Sequence, residues 1–211
     1  MVKLIQYWDL DQCRREDFAE FFGQDFVPTV NHGGLMSVVG SWEVASGEGP
    51  RLITESVAES VVEVEELILG EEYLALRSRL LAKVVNFHSK LLVPTGRIAA
   101  SVVQVEQGRK FNQHFNINAP EYFEFDRFMK QEYLPGLEKL GLEIAGDWQV
   151  RVGDAPHNVC EVRAADLSTI GQALQSPSFA GLTHRLLQQV SDYGCKVLIP
   201  SGFMHAGGGA P

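Results

Sequence analysis

Apolar residues along this chain switch between two periods, and the switches mark the elements. The stretch 2–9 is short and β-rich, and Phe18, Phe21, Phe22, Phe26 and Val30 then recur at helical spacing. Leu35–Val44 follows as a strand with Met36, Val38, Trp42 and Val44 on one face, and Leu52–Ala58 as a third β segment. A helical stretch over 62–82 and a closing strand, Val84–Val93, complete six elements. The same order returns as 110–116, a helix through Phe125, Phe128, Met129, Tyr133 and Leu137, then Leu142–Val150, Asn158–Ala164, 166–190 and Ser191–Ile199. Pro28 and Pro135 predict a kink or break in the first helix of each set. Ser176-Pro177-Ser178 predicts a split in the last helical stretch, with Ser176 as cap and Pro177 at the first helical position.

The two sets match residue for residue. At an offset of 107, Gln6 meets Gln113, Phe18 meets Phe125 and Pro28 meets Pro135. At 106, Gly40 meets Gly146, Trp42 meets Trp148, Glu55 meets Glu161 and Lys90 meets Lys196. One register change over so long a match points to a tandem duplication. The order βαββαβ is the ferredoxin-like arrangement, an antiparallel sheet with both helices on one face. The expected class is therefore α+β: two such units whose sheets face each other as an intramolecular α+β barrel. Expected boundaries are 1–98 and 110–203 for the repeats, 99–109 for a connector and 204–211 for a flexible tail of small residues.

Composition narrows the partners. The 211 residues are 45% hydrophobic and carry a net charge of −9, spread as −6 over 1–105 and −3 over 106–211. Neither half is basic, which argues against a nucleic-acid surface. No apolar run is long enough for a membrane helix, and the start lacks the layout of a signal peptide, so a cytoplasmic protein is expected. Three cysteines without a Cys-x-x-Cys pair fit reduced thiols better than a disulfide framework or a zinc site.

The second copy carries Glu-Tyr-Leu-Pro-Gly-Leu-Glu-Lys-Leu-Gly at 132–141, Gly146-Asp-Trp148-Gln-Val150 with Gly153, and later Ala173-Leu174-x-Ser176-Pro177-x-Phe179. That succession resembles the NIPSNAP-like members of the dimeric α+β barrel superfamily. The first copy matches less well, with Asn31-His32-Gly33-Gly34 inserted near its helix end. The resemblance implies a barrel of two facing sheets with a pocket between sheet and helices. It also implies a group that includes cofactor-free monooxygenases, haem proteins, lyases and proteins without assigned activity, so fold does not choose function.

Candidate ligand-binding residues come from polar positions on apolar faces. Gln6 and Gln113 alternate with large apolar residues on the first strand of each copy, where an amide either bonds a neighbouring group or orients a ligand. Glu55 and Glu161 sit mid-strand, as ion pairs with Arg79 and Arg185 or across the copies, or as a general base. His114, in the place of Tyr7 and beside Asn112 and Asn116, hydrogen-bonds across the sheets or lines a wet interior. Trp42 and Trp148 read as core anchors, with Trp148 close to any pocket. His184 lies about 120° from the apolar stripe of its helix, a poor direction for a haem ligand. The histidines form no metal-ligand pattern, and neither a Gly-x-Ser-x-Gly elbow nor a Gly-x-Gly-x-x-Gly loop is present. No catalytic constellation, metal or cofactor is expected, haem included.

The function expected from these features is binding of a small organic molecule in an apolar pocket. The alternatives are a cofactor-independent monooxygenase or isomerase-like enzyme acting on an aromatic or polyketide-like substrate, and a homo-oligomeric scaffold.

Overall fold

The computed structural model describes residues 1–98, 108–118 and 122–205. Its first half runs β1 (Val2–Leu10), α1 (Arg15–Phe21), α2 (Val27–Asn31), β2 (Ser37–Ser46), β3 (Leu52–Ala58), α3 (Val61–Leu69), α4 (Glu71–Leu81) and β4 (Val84–Pro94). The second runs β5 (Arg109–Ile117), α5 (Tyr122–Phe128), α6 (Leu134–Lys139), β6 (Glu143–Val152), β7 (Asn158–Ala164), α7 (Leu167–Gln175), α8 (Pro177–Leu187) and β8 (Val190–Pro200). Each half is a ferredoxin-like βαββαβ unit. The connector expected at 99–109 lies outside the described residues through 107.

The two prolines do not break their helices. One π-helical turn, Phe22–Phe26 or Met129–Tyr133, stands just before α2 or α6, and the helix continues past it. A proline cannot donate to the carbonyl four residues back and its ring crowds it; the wider turn accommodates both effects. The split expected at Ser176 occurs, with its hydroxyl accepting from Phe179 N at 3.1 Å. The first half splits as well, at Gly70, where one residue in extended backbone ends α3 and precedes α4. A lone glycine inside a helical pattern concealed that second break.

The strands close into an eight-stranded barrel in the order β1-β3-β2-β8-β5-β7-β6-β4. The two sheets face each other and are also joined at both edges, by β2 with β8 and β4 with β6. Closure leaves no strand edge open among the described residues. Register repeats between the halves: Lys3 opposes Val57 and Leu92, and Lys110 opposes Arg163 and Leu198. The helices cover the outer faces, one cluster around Trp8, Phe18, Phe22 and Phe26, the other around Phe115, Phe125, Tyr133 and Leu186. A third cluster fills the barrel itself, with Ile5, Trp42, Leu92, Trp148 and Leu198.

Strand β2 is not apolar on a single face from end to end. Its register shifts between Val38 and Gly40, so Met36 and Val38 face the helices while Trp42 and Val44 face the barrel interior. One extra residue in a period-two strand exchanges its faces, and β6 has the same shift between Ile144 and Gly146. The shift brings each tryptophan over the glycine two residues before it. A Cβ on Gly146 would lie 2.0 Å from Trp148 Nε1, and one on Gly40 would lie 2.6 Å from Trp42 Nε1.

The halves also exchange their ends. After β4, the buried Arg97 reaches Asp126 and Asp147 of the second half at 2.9 Å each. After β8, Phe203 packs against Phe18 and Phe22 of the first half. Expected as the flexible tail, 204–211 therefore begins with packed chain: Phe203–His205 form a 3-10 turn and Met204 is partly buried in the same cluster. Residues 206–211 lie outside the described residues.

Gly146→Ala is expected to destabilise the protein by about 1–3 kcal/mol through overpacking against Trp148. Gly181→Ala, on α8 with open space around its Cβ position, should instead stabilise it by about 0.5–1 kcal/mol. Urea denaturation of the two variants measures both signs.

Candidate functional site

Three layers of side chains fill the barrel, set by alternate residues of β1 and β5. The first holds four buried charges. Lys3 Nζ lies 2.5 Å from Glu161 Oε2 and 3.6 Å from Glu55 Oε2, and Lys110 Nζ lies 2.5 Å from Glu55 Oε2. Both short bonds cross from one half to the other. Lys3 and Lys110 stand over the rings of Trp148 and Trp42 at 4.6 and 4.8 Å, and Trp148 Nε1 donates to Glu161 Oε2 at 2.9 Å. Burial works against ionised Glu161, but Lys110, Lys3 and the bonds from Lys3 and Trp148 hold its pKa down to about 2. Lys3 is raised: burial opposes its charge, and Glu161 and Glu55 outweigh that.

The middle layer is mostly aliphatic, with Ile5, Ile53, Leu92, Val159 and Leu198, and Asn112 buried among the strands. Beyond it the barrel opens into a cavity of about 610 Å³. Tyr7 and His114 line it, with His88 and Lys90 of β4 and Gly194 and Lys196 of β8. The β2–β3 turn with Gly49-Pro50 and the β6–β7 turn with Ala155-Pro156 close over it, each turn contributed by one half. These turns sit tightly on the opposite strands: a Cβ on Gly47 would meet Cys195 O at 2.5 Å, and one on Gly153 would meet Ser89 O at 2.9 Å. Lys196 Nζ donates to Gly49 O at 3.1 Å and Lys90 Nζ to Pro156 O at 3.2 Å.

His114 is buried, and its Nε2 has no hydrogen-bond partner. Burial, then the nearby Lys196 and Lys90, lower its pKa to about 4 against the opposing pull of Glu161. The imidazole is neutral near pH 7, so it offers a hydrogen bond rather than a charge. Burial also raises the Tyr7 hydroxyl, helped by Glu161 and Glu55, so it stays protonated. Burial lowers both lysines, though a rim carboxylate opposes the effect in each case, Asp154 for Lys90 and Glu48 for Lys196.

The sequence-derived candidates do not converge on one place. His114 borders the cavity. Trp148 and Glu161 meet, but in the charged layer on the far side of the aliphatic one. Gln6 and Gln113 face the helices: Gln6 Nε2 donates to Tyr73 at 3.1 Å, and Gln113 Oε1 accepts from Tyr133 and, at 3.0 Å, from Tyr193. Of the pairings open to Glu55 and Glu161, the cross-copy one is present, while Arg79 and Arg185 bond Asp25 and Glu132 on the surface. Lys3, Lys110, Lys90 and Lys196 escaped the sequence reading as candidates. Their signal was a lysine inside a strand at matching positions of both copies.

A haem held by His184 does not fit the second half. His184 is exposed on α8, and Phe111, Phe115, Phe125, Tyr133 and Leu186 fill the space between the second sheet and its helices. Among the described residues no group of three His, Cys, Asp or Glu side chains is placed to hold a metal ion.

No family model matches the sequence, and no match was found among curated proteins. Solved structures do match. A protein from Lactobacillus acidophilus NCFM and one from Fusobacterium nucleatum, each described as a putative monooxygenase, align with TM-scores of 0.61 and 0.66 at 14% and 10% identity. Each alignment covers 94% of this chain, with 92% and 91% of the respective neighbour. Chlorite dismutase from Candidatus Nitrospira defluvii aligns over 97% of this chain and 93% of its own, with a TM-score of 0.64 and 8% identity. The fold is the ferredoxin-like α+β barrel. A NIPSNAP domain protein from Burkholderia xenovorans overlaps 46% of this chain at a TM-score of 0.37, too loose a likeness to carry an assignment. No helix among the described residues is long and apolar enough to cross a membrane.

Breaking the buried ladder is expected to be costly. Lys3→Met should destabilise the protein by about 3–5 kcal/mol, because it leaves Glu161 buried without its closest cation. Adding Glu161→Leu should recover part of that loss, and a double-mutant cycle in urea reads the coupling. The pH dependence separates the two buried groups. With its folded pKa at about 4, His114 makes the unfolded chain bind the extra proton between pH 6.5 and 4. Stability should therefore fall with decreasing pH across that window, by about 3 kcal/mol at most, and His114→Gln should flatten it. Glu161 acts lower: its stabilisation is complete above the ordinary carboxylate range and is lost as pH falls through about 2.

Proposed function

We propose that this chain binds a small organic molecule in the cavity at the open end of its barrel. The observation that carries the reading is a cavity of about 610 Å³ lined from both halves, with Tyr7 and the neutral His114 imidazole in its wall. The volume suits a drug-sized molecule, and Tyr7, Pro50 and Pro156 offer flat faces to an apolar body. The NIPSNAP-like character of the motifs belongs to this proposal and rests on the sequence.

A catalytic reading uses the same cavity and the neutral imidazole. The neighbours described as monooxygenases favour it at the level of fold alone. With a conjugate acid at about 4, however, His114 is a weak base, suited to substrates whose proton is already acidic. Binding accounts for the geometry with fewer demands.

Gly194 gives a direct test, because it lines the cavity, has open space around its Cβ position and matches His88 of the first half. Gly194→Phe should fill the cavity and leave the melting temperature within about 3 °C of wild type. A panel of small aromatic compounds should contain ligands that raise the wild-type melting temperature by about 2 °C or more and leave the variant unmoved. Shifts that survive in the variant, or a wild type unmoved by the whole panel, contradict the proposal.

A further inference from the structure

Two lysines line this cavity, with carboxylates on the turns and strand at its rim. Lys90 and Lys196 are half-buried, occupy equivalent positions in the two halves, and each donates a hydrogen bond to a turn carbonyl of the opposite half. Among the described residues neither forms an ion pair. An ammonium group has three donors, so each lysine keeps donors to spare. Lys196 Nζ also stands 5.6 Å from the centre of the Tyr7 ring, which keeps its charge on the cavity wall. The carbonyl bonds anchor both side chains, so little freedom remains to be lost when a ligand arrives.

We propose that the ligand is an organic monoanion with a flat apolar body, its carboxylate shared between Lys90 and Lys196. This deepens the binding reading and rests on it. Tyr7, Pro50 and Pro156 hold the body. Charge restricts the class further. Glu48, Asp154 and Asp192 line the same cavity, so a dianion such as phosphate meets about twice the repulsion a monoanion does. Asp192 is engaged by Asn116 at 2.7 Å, and the other two lie on the turns that cover the opening. A monocarboxylate brings a single negative charge to the two lysines and so meets less repulsion from the three carboxylates than a dianion does.

The test compares 2-naphthoate with its neutral amide, 2-naphthamide, and with inorganic phosphate by calorimetric titration of the full chain at pH 7.5. Naphthoate should bind wild type at least about tenfold more tightly than naphthamide, in line with a hydrogen bond to a charged group. Lys90→Met and Lys196→Met should each weaken naphthoate about tenfold and leave naphthamide unchanged, and phosphate should not displace naphthoate. Thermal melts confirm that the variants fold. If a methionine variant does not, Lys90→Gln and Lys196→Gln take its place, and the acid–amide comparison stands on wild type alone. Equal binding of acid and amide, indifference to the lysine variants, or displacement by phosphate overturns the monoanion and leaves the binding cavity in place. Absence of binding by both naphthalene compounds, together with a compound panel that Gly194→Phe does not affect, overturns both readings.

Discussion

Four charges buried where water is excluded govern this barrel. Removing an ion from water costs several kcal/mol, and attraction repays that only when every charge finds a close partner. Here Lys3 answers Glu161 and Lys110 answers Glu55, and both close contacts run from one half to the other. A half on its own would retain Lys3 beside Glu55 at the longer 3.6 Å separation and would expose its interior face. The ladder thus fixes how the halves meet as well as how tightly. Its glutamates are supported unequally: Trp148 donates to Glu161, whereas Trp42 Nε1 has no partner. The two halves are therefore not symmetric at the centre of the barrel.

The cavity is a consequence of that arrangement. Tight packing at the charged layer and aliphatic filling above it leave the barrel's far end to Tyr7 on one side and His114 on the other. The same two strands that bury lysines at one end present a phenol and an imidazole at the other. Reciprocal contacts then frame the opening, because each hairpin turn rests on a strand of the other half. Exchange of chain ends, with Arg97 bonded into the second half and Phe203 packed into the first, reinforces the pairing outside the barrel.

Much of this was legible in the sequence. The boundaries of β3 and β7 could be read directly, because clear turns flank alternating residues there. Ser176-Pro177 announced its helix break, whereas Gly70 did not, since a glycine alone carries no cap and no fixed dihedral. The faces of β2 could not be read, because a period-two pattern does not reveal the residue at which an extra one is inserted. His114 stood out as a polar residue in an unexpected place. The partner of Glu161 did not, because Lys3 is 158 positions away and belongs to the other half. Internal repetition located the right positions, and three-dimensional closure decided which of them touch.

The central claim is that the halves form one cooperative body joined through the barrel interior. Native-state hydrogen exchange tests it most directly, by comparing amides of β1 from Lys3 to Tyr7 with amides of β5 from Lys110 to His114. The account predicts that both sets exchange through a single global opening, with equal free energies and the same denaturant dependence. Exchange of one strand through a cheaper opening while the other stays protected would contradict it, and would mean that the halves stand independently.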